Sequence, residues 1–256
     1  MLHVTMPTYR TPPELLDRAV RSVLSQNTDL RLIVIGDGEE PDVIADDDRL
    51  TVFVLPENRG RYFADSVAVL ALSESDWWTP HDSDDWSEPG RYKRLLRVAK
   101  PYGAALSSYW KYDTDGRKIR SNPKVQGSGF RHVGHWCSGV YRMDRVLECG
   151  GILPQFRVST DTLFVSLVSL VGSVGIDTTP SFHWERRSGS LTTANGTSMQ
   201  SSLRQATRFS LRKIYAEAER HWKDGQPIAN VVRSSVPDKV QAEVEEEAVR
   251  LAELLD

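Results

Sequence analysis

The run His81-Asp82-Ser83-Asp84-Asp85 sets two carboxylates two residues apart, directly behind the apolar segment Trp77-Trp78-Thr79-Pro80. A strand that ends in Asp-x-Asp can aim one carboxylate at ribose hydroxyls and the other at a hard divalent cation, which in turn holds the paired phosphates of a nucleotide. On this reading Asp82 faces the ribose and Asp84 supplies an oxygen to the metal. Acidic clusters ahead of a helix also act as turn and cap residues, so the motif draws its meaning from its surroundings.

The elements that must position it alternate in type. Residues 2–6 form a short apolar strand, and Thr11-Pro12-Pro13-Glu14 reads as a capping box with proline at the first helical position. Leu15, Leu16, Ala19, Val20, Val23 and Leu24 then recur at helical spacing. Residues 30–35 and 50–55 are apolar strands, each expected to be buried on both faces, that run into Gly36-Asp37-Gly38 and Pro56-Glu57-Asn58-Arg59-Gly60. Phe63, Val67, Leu70 and Ala71 mark a second helix before the Trp77-Trp78 strand. This βαβ order predicts an α/β fold with a parallel sheet whose ligands lie outside the carboxyl ends of the strands. Thr8-Tyr9-Arg10, Asp37, residues 58–61 and residues 82–85 all fall at those ends.

Composition sets the frame. The 256 residues, 39% hydrophobic and 26% charged, suffice for a substantial core and argue against disorder. A net charge of -3 gives no global attraction to nucleic acid or anionic lipid. Two cysteines, Cys137 and Cys149, are too few for a disulfide framework and suit a reducing compartment. With a strand at the start, no leader pattern and no apolar run of membrane length, the expectation is a soluble cytoplasmic protein.

Taken in order, Val4-Thr5-Met6-Pro7-Thr8-Tyr9-Arg10, Asp37, Asp82-Ser83-Asp84 and Pro89-Gly90-Arg91 resemble the family 2 glycosyltransferases. These have the GT-A fold, a Rossmann-like, mostly parallel central sheet flanked by helices. The resemblance implies a GT-A domain over residues 1–192, with a nucleotide-sugar-binding half at 1–100 and an acceptor-side half at 101–192. Residues 193–256 are expected to add a helical extension. Pro7, Thr8, Tyr9 and Arg10 would face the nucleotide, Asp37 the base, and Asp82 with Ser83 the ribose and donor. Two departures stand out. Gly36 occupies the place of the family's first acidic residue, and the arginine often found in the helix before the acidic run is absent from Ala64-Asp65-Ser66-Val67. Arg61 is the expected substitute for contacting base or phosphate.

In the second half, residues 105–112 are strand-like and Asp115-Gly116 is a hairpin turn into Arg117-Lys118-Ile119. Asp144 is expected to cap a short helix ending at Gly150-Gly151. Ser159-Thr160-Asp161 precedes an apolar helix, and the resemblance makes Asp161 the catalytic aspartate, although Thr160 stands where the family usually has glutamate. Such a base is required if transfer inverts the anomeric carbon in one displacement. Aspartate is also simply favoured at helix starts. In residues 182–192 the resemblance implies that His183 completes the metal shell begun by Asp84, while Arg186 or Arg187 neutralises the diphosphate.

Trp110, Tyr112, Trp136 and Trp184 are candidates to line a sugar and acceptor cleft, with core packing as the plainer role. Arg117, Lys118, Arg120, Lys124 and Arg131 form a basic stretch, an ordinary solvated face or a seat for an anionic acceptor. Beyond residue 192, Leu203, Thr207, Ile214 and Ala218 predict an amphipathic helix. Val240, Val244, Leu251 and Leu255 predict another, with Glu243, Glu245, Glu246 and Glu247 on its wet side. These helices should pack on the catalytic domain or on a second copy in a homo-oligomer.

The expected activity is metal-dependent (Mn²⁺ or Mg²⁺), inverting transfer of one sugar from a nucleotide-sugar, UDP-sugar favoured, to an acceptor hydroxyl. The acceptor classes left open are a glycan, a protein hydroxyl, a lipid and a modified nucleic-acid base. A sugar nucleotidyltransferase is the alternative enzyme, but Pro7-Thr8-Tyr9-Arg10 is not a glycine-rich phosphate loop. A non-catalytic sugar-binding module would not need Asp84, His183 and Asp161 to converge.

Overall fold

The computed structural model describes residues 1–43, 45–72, 77–113, 115–124, 129–130, 134–186, 190 and 192–255. Its first half runs β1 (Leu2–Thr8), α1 (Pro13–Leu24), β2 (Leu30–Asp37), β3 (Leu50–Leu55), α2 (Arg61–Ala71), β4 (Trp77–Pro80), β5 (Trp86–Ser87) and α3 (Arg91–Ala99). The second half continues with β6 (Ala104–Tyr112), β7 (Lys118–Ser121), β8 (Gly139–Arg142), α4 (Met143–Glu148), α5 (Thr160–Val171) and β9 (Gly175–Glu185). Three helices follow: α6 (Ser202–Lys223), α7 (Ile228–Ser234) and α8 (Asp238–Leu255).

One sheet carries the order β3-β2-β1-β4-β8-β6-β9-β5, with β7 paired to β6. Strands β3, β2, β1 and β4 are parallel, as the alternating order predicts. Beyond β4 the sheet is mixed rather than mostly parallel. β8 enters antiparallel between β4 and β6, and β5 closes the far end antiparallel to β9. The expected hairpin is present as β6 and β7.

Alternation along the strands divides the apolar side chains between two faces. Leu2, Val4 and Met6 of β1 and Leu32 and Val34 of β2 pack with Leu16, Val20 and Val23 of α1 and Tyr92 and Leu95 of α3. Ile33 and Ile35 point the other way, into a core shared with Phe63 and Val67 of α2 and Leu163, Phe164 and Leu167 of α5. The burial expected on both faces holds for β2 but not for β3, the edge strand, whose Val52 is exposed.

Two expected caps are not formed. Pro12 takes the N-cap position of α1 with no side-chain cap bond, and the Thr11 hydroxyl instead shares a hydrogen bond of 2.7 Å with the Ser83 hydroxyl. Asp144 lies inside the first turn of α4 and pairs with Arg142, the actual N-cap residue.

The C-terminal helices complete the core of this same chain. Leu211, Tyr215 and Ala218 of α6, Val231 and Val232 of α7, and Val244, Ala248 and Leu251 of α8 join the α2–α5 face of the sheet. The expected stripe of α8 holds, with Val244 and Leu251 buried and Val240 and Leu255 packed against the core, whereas that of α6 is shifted in part. Leu203 is exposed, while Arg204 and Leu211 face inward with Thr207. Glu247, expected on the wet side of α8, is buried beside Arg250, and Glu243 pairs with Arg59. Truncation after Thr192 should therefore uncover the apolar faces of α2 and α5 and yield aggregated protein by size-exclusion chromatography. A monodisperse fragment melting at the full-length temperature would contradict this packing.

Candidate active site

The donor-side residues gather where β1, β2 and β4 end. Pro7 and Thr8 are buried in β1, whereas Tyr9 just beyond is 42% exposed, with its ring open to a ligand and Arg10 stacked 5.0 Å from the ring centre. Arg10 has a positive φ of 49°, and its backbone N–H donates to the Glu39 carboxylate. At position 36 a Cβ would lie 2.1 Å from the Glu39 carbonyl oxygen. The missing acidic residue thus has a steric cause, because the turn at 36–39 folds back onto its own strand.

Asp37, expected to face the base, is tied to the following loop. It is buried, and its two carboxylate oxygens accept the backbone N–H groups of Arg59 (2.7 Å) and Gly60 (2.8 Å). Burial pushes its carboxyl above the usual range, against the pull of those two bonds. Asp37 therefore fixes the loop that leads into α2. Gly60, with φ of 92°, gives that loop room: Arg157 crosses it so closely that a Cβ would lie 2.7 Å from the arginine Cδ.

Arg61, the first residue of α2, is the hub of the site. Its Nε donates to Asp65 (3.2 Å), its Nη1 pairs with Asp82, and its Nη2 reaches the His81 carbonyl (3.3 Å) and the Cys137 sulfur (3.4 Å). The guanidinium lies 4.7 Å from the centre of the Trp136 ring. Arg61, expected to stand in for the arginine missing from residues 64–67, grips the first carboxylate of the Asp-x-Asp loop. Asp65 is fully buried, accepts the Thr5 hydroxyl (2.7 Å), and is pushed by burial up to about 6. Thr5 in turn accepts from the Trp78 indole (3.0 Å).

The remainder of the acidic loop is held from several sides. Ser83 is buried against Thr11, the Asp84 carbonyl accepts from Arg18 (2.7 Å), and buried Asp85 accepts the Glu185 N–H of β9 (2.8 Å). Burial raises the Asp85 carboxyl well above its ordinary range. Asp84 stays partly exposed.

Asp161 lies in the first turn of α5, beyond the N-cap residue Ser159, so it is not the cap. Its Oδ1 accepts the Tyr62 hydroxyl at 2.9 Å. Tyr62 follows Arg61, so the first turn of α2 touches the Asp-x-Asp loop with one side chain and Asp161 with the next.

His183 is not brought into a shared ligand group with Asp84 among the described residues. Its Nε2 faces Glu88 (2.6 Å), its Nδ1 faces the Tyr112 hydroxyl (2.9 Å), and its ring stacks on Trp86 at 4.4 Å. Metal ligation at either nitrogen would require its present partner to leave. Among the described residues the group able to offer three ligand atoms within 4.8 Å of one another is Asp82, His135 and Cys137. Arg61 already balances Asp82 there, and burial pushes the Cys137 thiol up, away from the thiolate a metal would bind. Arg186 is exposed at the end of β9, while Arg187 lies outside the described residues, as does Arg131 of the basic stretch. Of the expected cleft aromatics, Trp136 is buried beneath Arg61 and Tyr112 is bonded to His183, whereas Trp184 lies partly exposed beside His135. Trp110 is covered by Lys118.

Tyr62, Asp65, His135 and Cys137 escaped the sequence reading. Only Tyr62 had a usable signal, its place after Gly60-Arg61 at the start of a helix facing the carboxyl end of the sheet.

The glycosyl transferase family 2 model matches residues 3–148, more than half of the chain. The chain belongs to glycosyl transferase family 2, a family of glycosyltransferases. Among solved structures, S. aureus TarS 1-349 in complex with UDP-GlcNAc aligns over 99% of this chain and 88% of that one, with a TM-score of 0.61 and 14% identity. TarS 1-349 alone gives a TM-score of 0.57 at 15% identity, covering 72% of this chain and 60% of that one. For the longer TarS structure the score is 0.57 at 13% identity, over 86% of this chain and 43% of TarS. These likenesses show the GT-A fold. No curated protein matches the sequence.

Proposed function

We propose that this protein is a metal-dependent, inverting glycosyltransferase that moves one sugar from a nucleotide-sugar, UDP-sugar favoured, to an acceptor hydroxyl. The observation that carries the reading is the first turn of α2. Arg61 holds Asp82 at the donor side while Tyr62 orients the Asp161 carboxylate. A donor carboxylate and a proton acceptor so coupled suit a single displacement. A TarS structure with UDP-GlcNAc bound supports the choice of nucleotide.

In this mechanism Pro7 and Thr8 end β1 so that the exposed Tyr9 ring can stack on the base. Arg10 lies beside it for the phosphates, and Asp37 acts by shaping the loop 58–60. Asp82 and Ser83 face the ribose. The acceptor oxygen bonds to the anomeric carbon as the bond from that carbon to the diphosphate oxygen breaks, on the opposite face. Asp161 takes the hydroxyl proton, and the nucleoside diphosphate departs with both electrons of the broken bond. Arg186, at the end of β9, balances its charge, a role proposed on the sequence for Arg187 as well.

A hard cation fits the partly exposed oxygens of Asp84 better than it fits the Asp82–His135–Cys137 group, whose donors include a thiol. Held by Asp84, Mn²⁺ or Mg²⁺ would neutralise charge on the leaving diphosphate. Hydrolysis assays with Mn²⁺ and a panel of UDP-glucose, UDP-galactose, UDP-GlcNAc, UDP-glucuronate and GDP-mannose should show release of UDP from at least one donor. Intact donors throughout, with protein shown to be folded, would count against the proposal.

A further inference from the structure

Arg204 of α6 is a charged side chain that the fold has taken almost wholly out of water, with 7% exposure. Burying a guanidinium is costly unless its donors are met. Here Nη2 donates to the Thr197 carbonyl (2.9 Å), Nε to the carbonyls of Thr197 (3.1 Å) and Ser198 (3.2 Å), and Nη1 to the Ser159 hydroxyl (3.3 Å). The last bond joins the C-terminal helices to the start of α5.

Ser159 is itself unusual. It is the N-cap residue of α5, a position that ordinarily has extended backbone and a side chain bonded to the helix N–H groups. Instead its φ and ψ are 68° and 2°, and its side chain makes no cap bond. Left-handed backbone at a residue other than glycine is strained and persists only where the surroundings impose it. The Ser159 side chain is buried against Arg204, two residues from Asp161, whose carboxylate meets the Tyr62 hydroxyl.

We infer that Arg204 is a positioning residue for Asp161: it locks Ser159 in the left-handed conformation that aims the Asp161 carboxylate at the reacting hydroxyl. The inference rests on the reading of Asp161 as general base. It makes the C-terminal helices part of the catalytic apparatus in addition to their packing role.

The test uses the full chain and the UDP-sugar hydrolysed fastest in the panel above. Arg204→Ala should lower kcat about ten- to a hundredfold, the scale on which small misplacements of a catalytic group act. Its donor KM and UDP affinity should stay within about twofold of the parent, because on the proposed reading the donor is held mainly from the first half of the chain. Arg204→Lys should recover part of the loss. Ser159→Ala removes only the hydroxyl, leaves the grip of Arg204 on residues 197–198, and should lower kcat in the same direction; it decides the matter if Arg204→Ala does not fold. In an Asp161→Asn background, Arg204→Ala and Ser159→Ala should each add less than about a twofold further loss, as expected of groups acting through one another.

Parent-like kcat in both Arg204→Ala and Ser159→Ala, with Asp161→Asn inactive, would overturn this inference and leave the base assignment standing. So would a full, multiplicative loss in the Asp161→Asn background. A near-normal Asp161→Asn enzyme would remove the base assignment, and this inference with it.

Discussion

Replacing Asp161 with asparagine should lower sugar transfer by about a hundredfold or more while leaving nucleotide binding intact, the usual scale for loss of a general base. The substitution keeps the size of the side chain and an oxygen to accept the Tyr62 hydroxyl, which lies 2.9 Å from Oδ1. What it removes is the capacity to take a proton. On the proposed reading the donor is held mainly by groups at the ends of β1, β2 and β4, and among the described residues the hydrogen-bond partner given to Asp161 is Tyr62. Steady-state kinetics and a UDP titration on the same variant separate the two effects. Transfer near the parent rate would end the assignment, and loss of UDP affinity with an intact fold would move Asp161 to the donor side.

Arg61→Met should be the most destabilising single change at the site. It keeps much of the stem but leaves Asp65, wholly buried, and Asp82, 20% exposed, without their cation. Breaking a buried pair from one side typically costs about 3–5 kcal/mol, because the remaining charge is stranded. Urea unfolding measures this directly. The sign of the pH dependence is fixed by Asp65, whose carboxyl burial has already raised to about 6. Without Arg61 it rises further, so the variant gains a proton at Asp65 where the parent has none. The loss should therefore be smaller at pH 5 than at pH 8. Adding Asp65→Asn should recover part of the stability at pH 8. A pH-independent loss below about 1 kcal/mol would show that Arg61 and Asp65 are not a coupled buried pair.

The strands that build the donor half were legible because each is an apolar run followed at once by Gly, Pro, Asn or Asp, which places the polar residues at the carboxyl ends. The helix behind Asp161 was legible for the same local reason. The wiring between these ends was not. Arg61 meets Asp82, and Tyr62 meets Asp161, across separations that only the packing of α2 against the sheet and the start of α5 decides. The place of His183 in the chain suggested a ligand, and nothing local reveals that its ring would lie opposite Trp86 across β5 and β9 with its nitrogens facing Glu88 and Tyr112. Asp37 was located correctly, but nothing local reveals that two backbone N–H groups from the next loop would occupy its oxygens. In α6 and α8 the helical period was evident, but Arg204 and Glu247 are buried charges that a hydrophobic pattern cannot register.

The central claim, a nucleotide-sugar held through a divalent cation at the Asp-x-Asp loop, is tested most directly by calorimetry of UDP binding to metal-stripped protein. Paired phosphates beside Asp82 and Asp84 would repel those carboxylates unless a cation intervened. Clear binding is expected with Mn²⁺ present, little or none with excess chelator, and a loss of the Mn²⁺ effect in Asp84→Asn. Equal UDP affinity with and without chelator in the parent protein would contradict it.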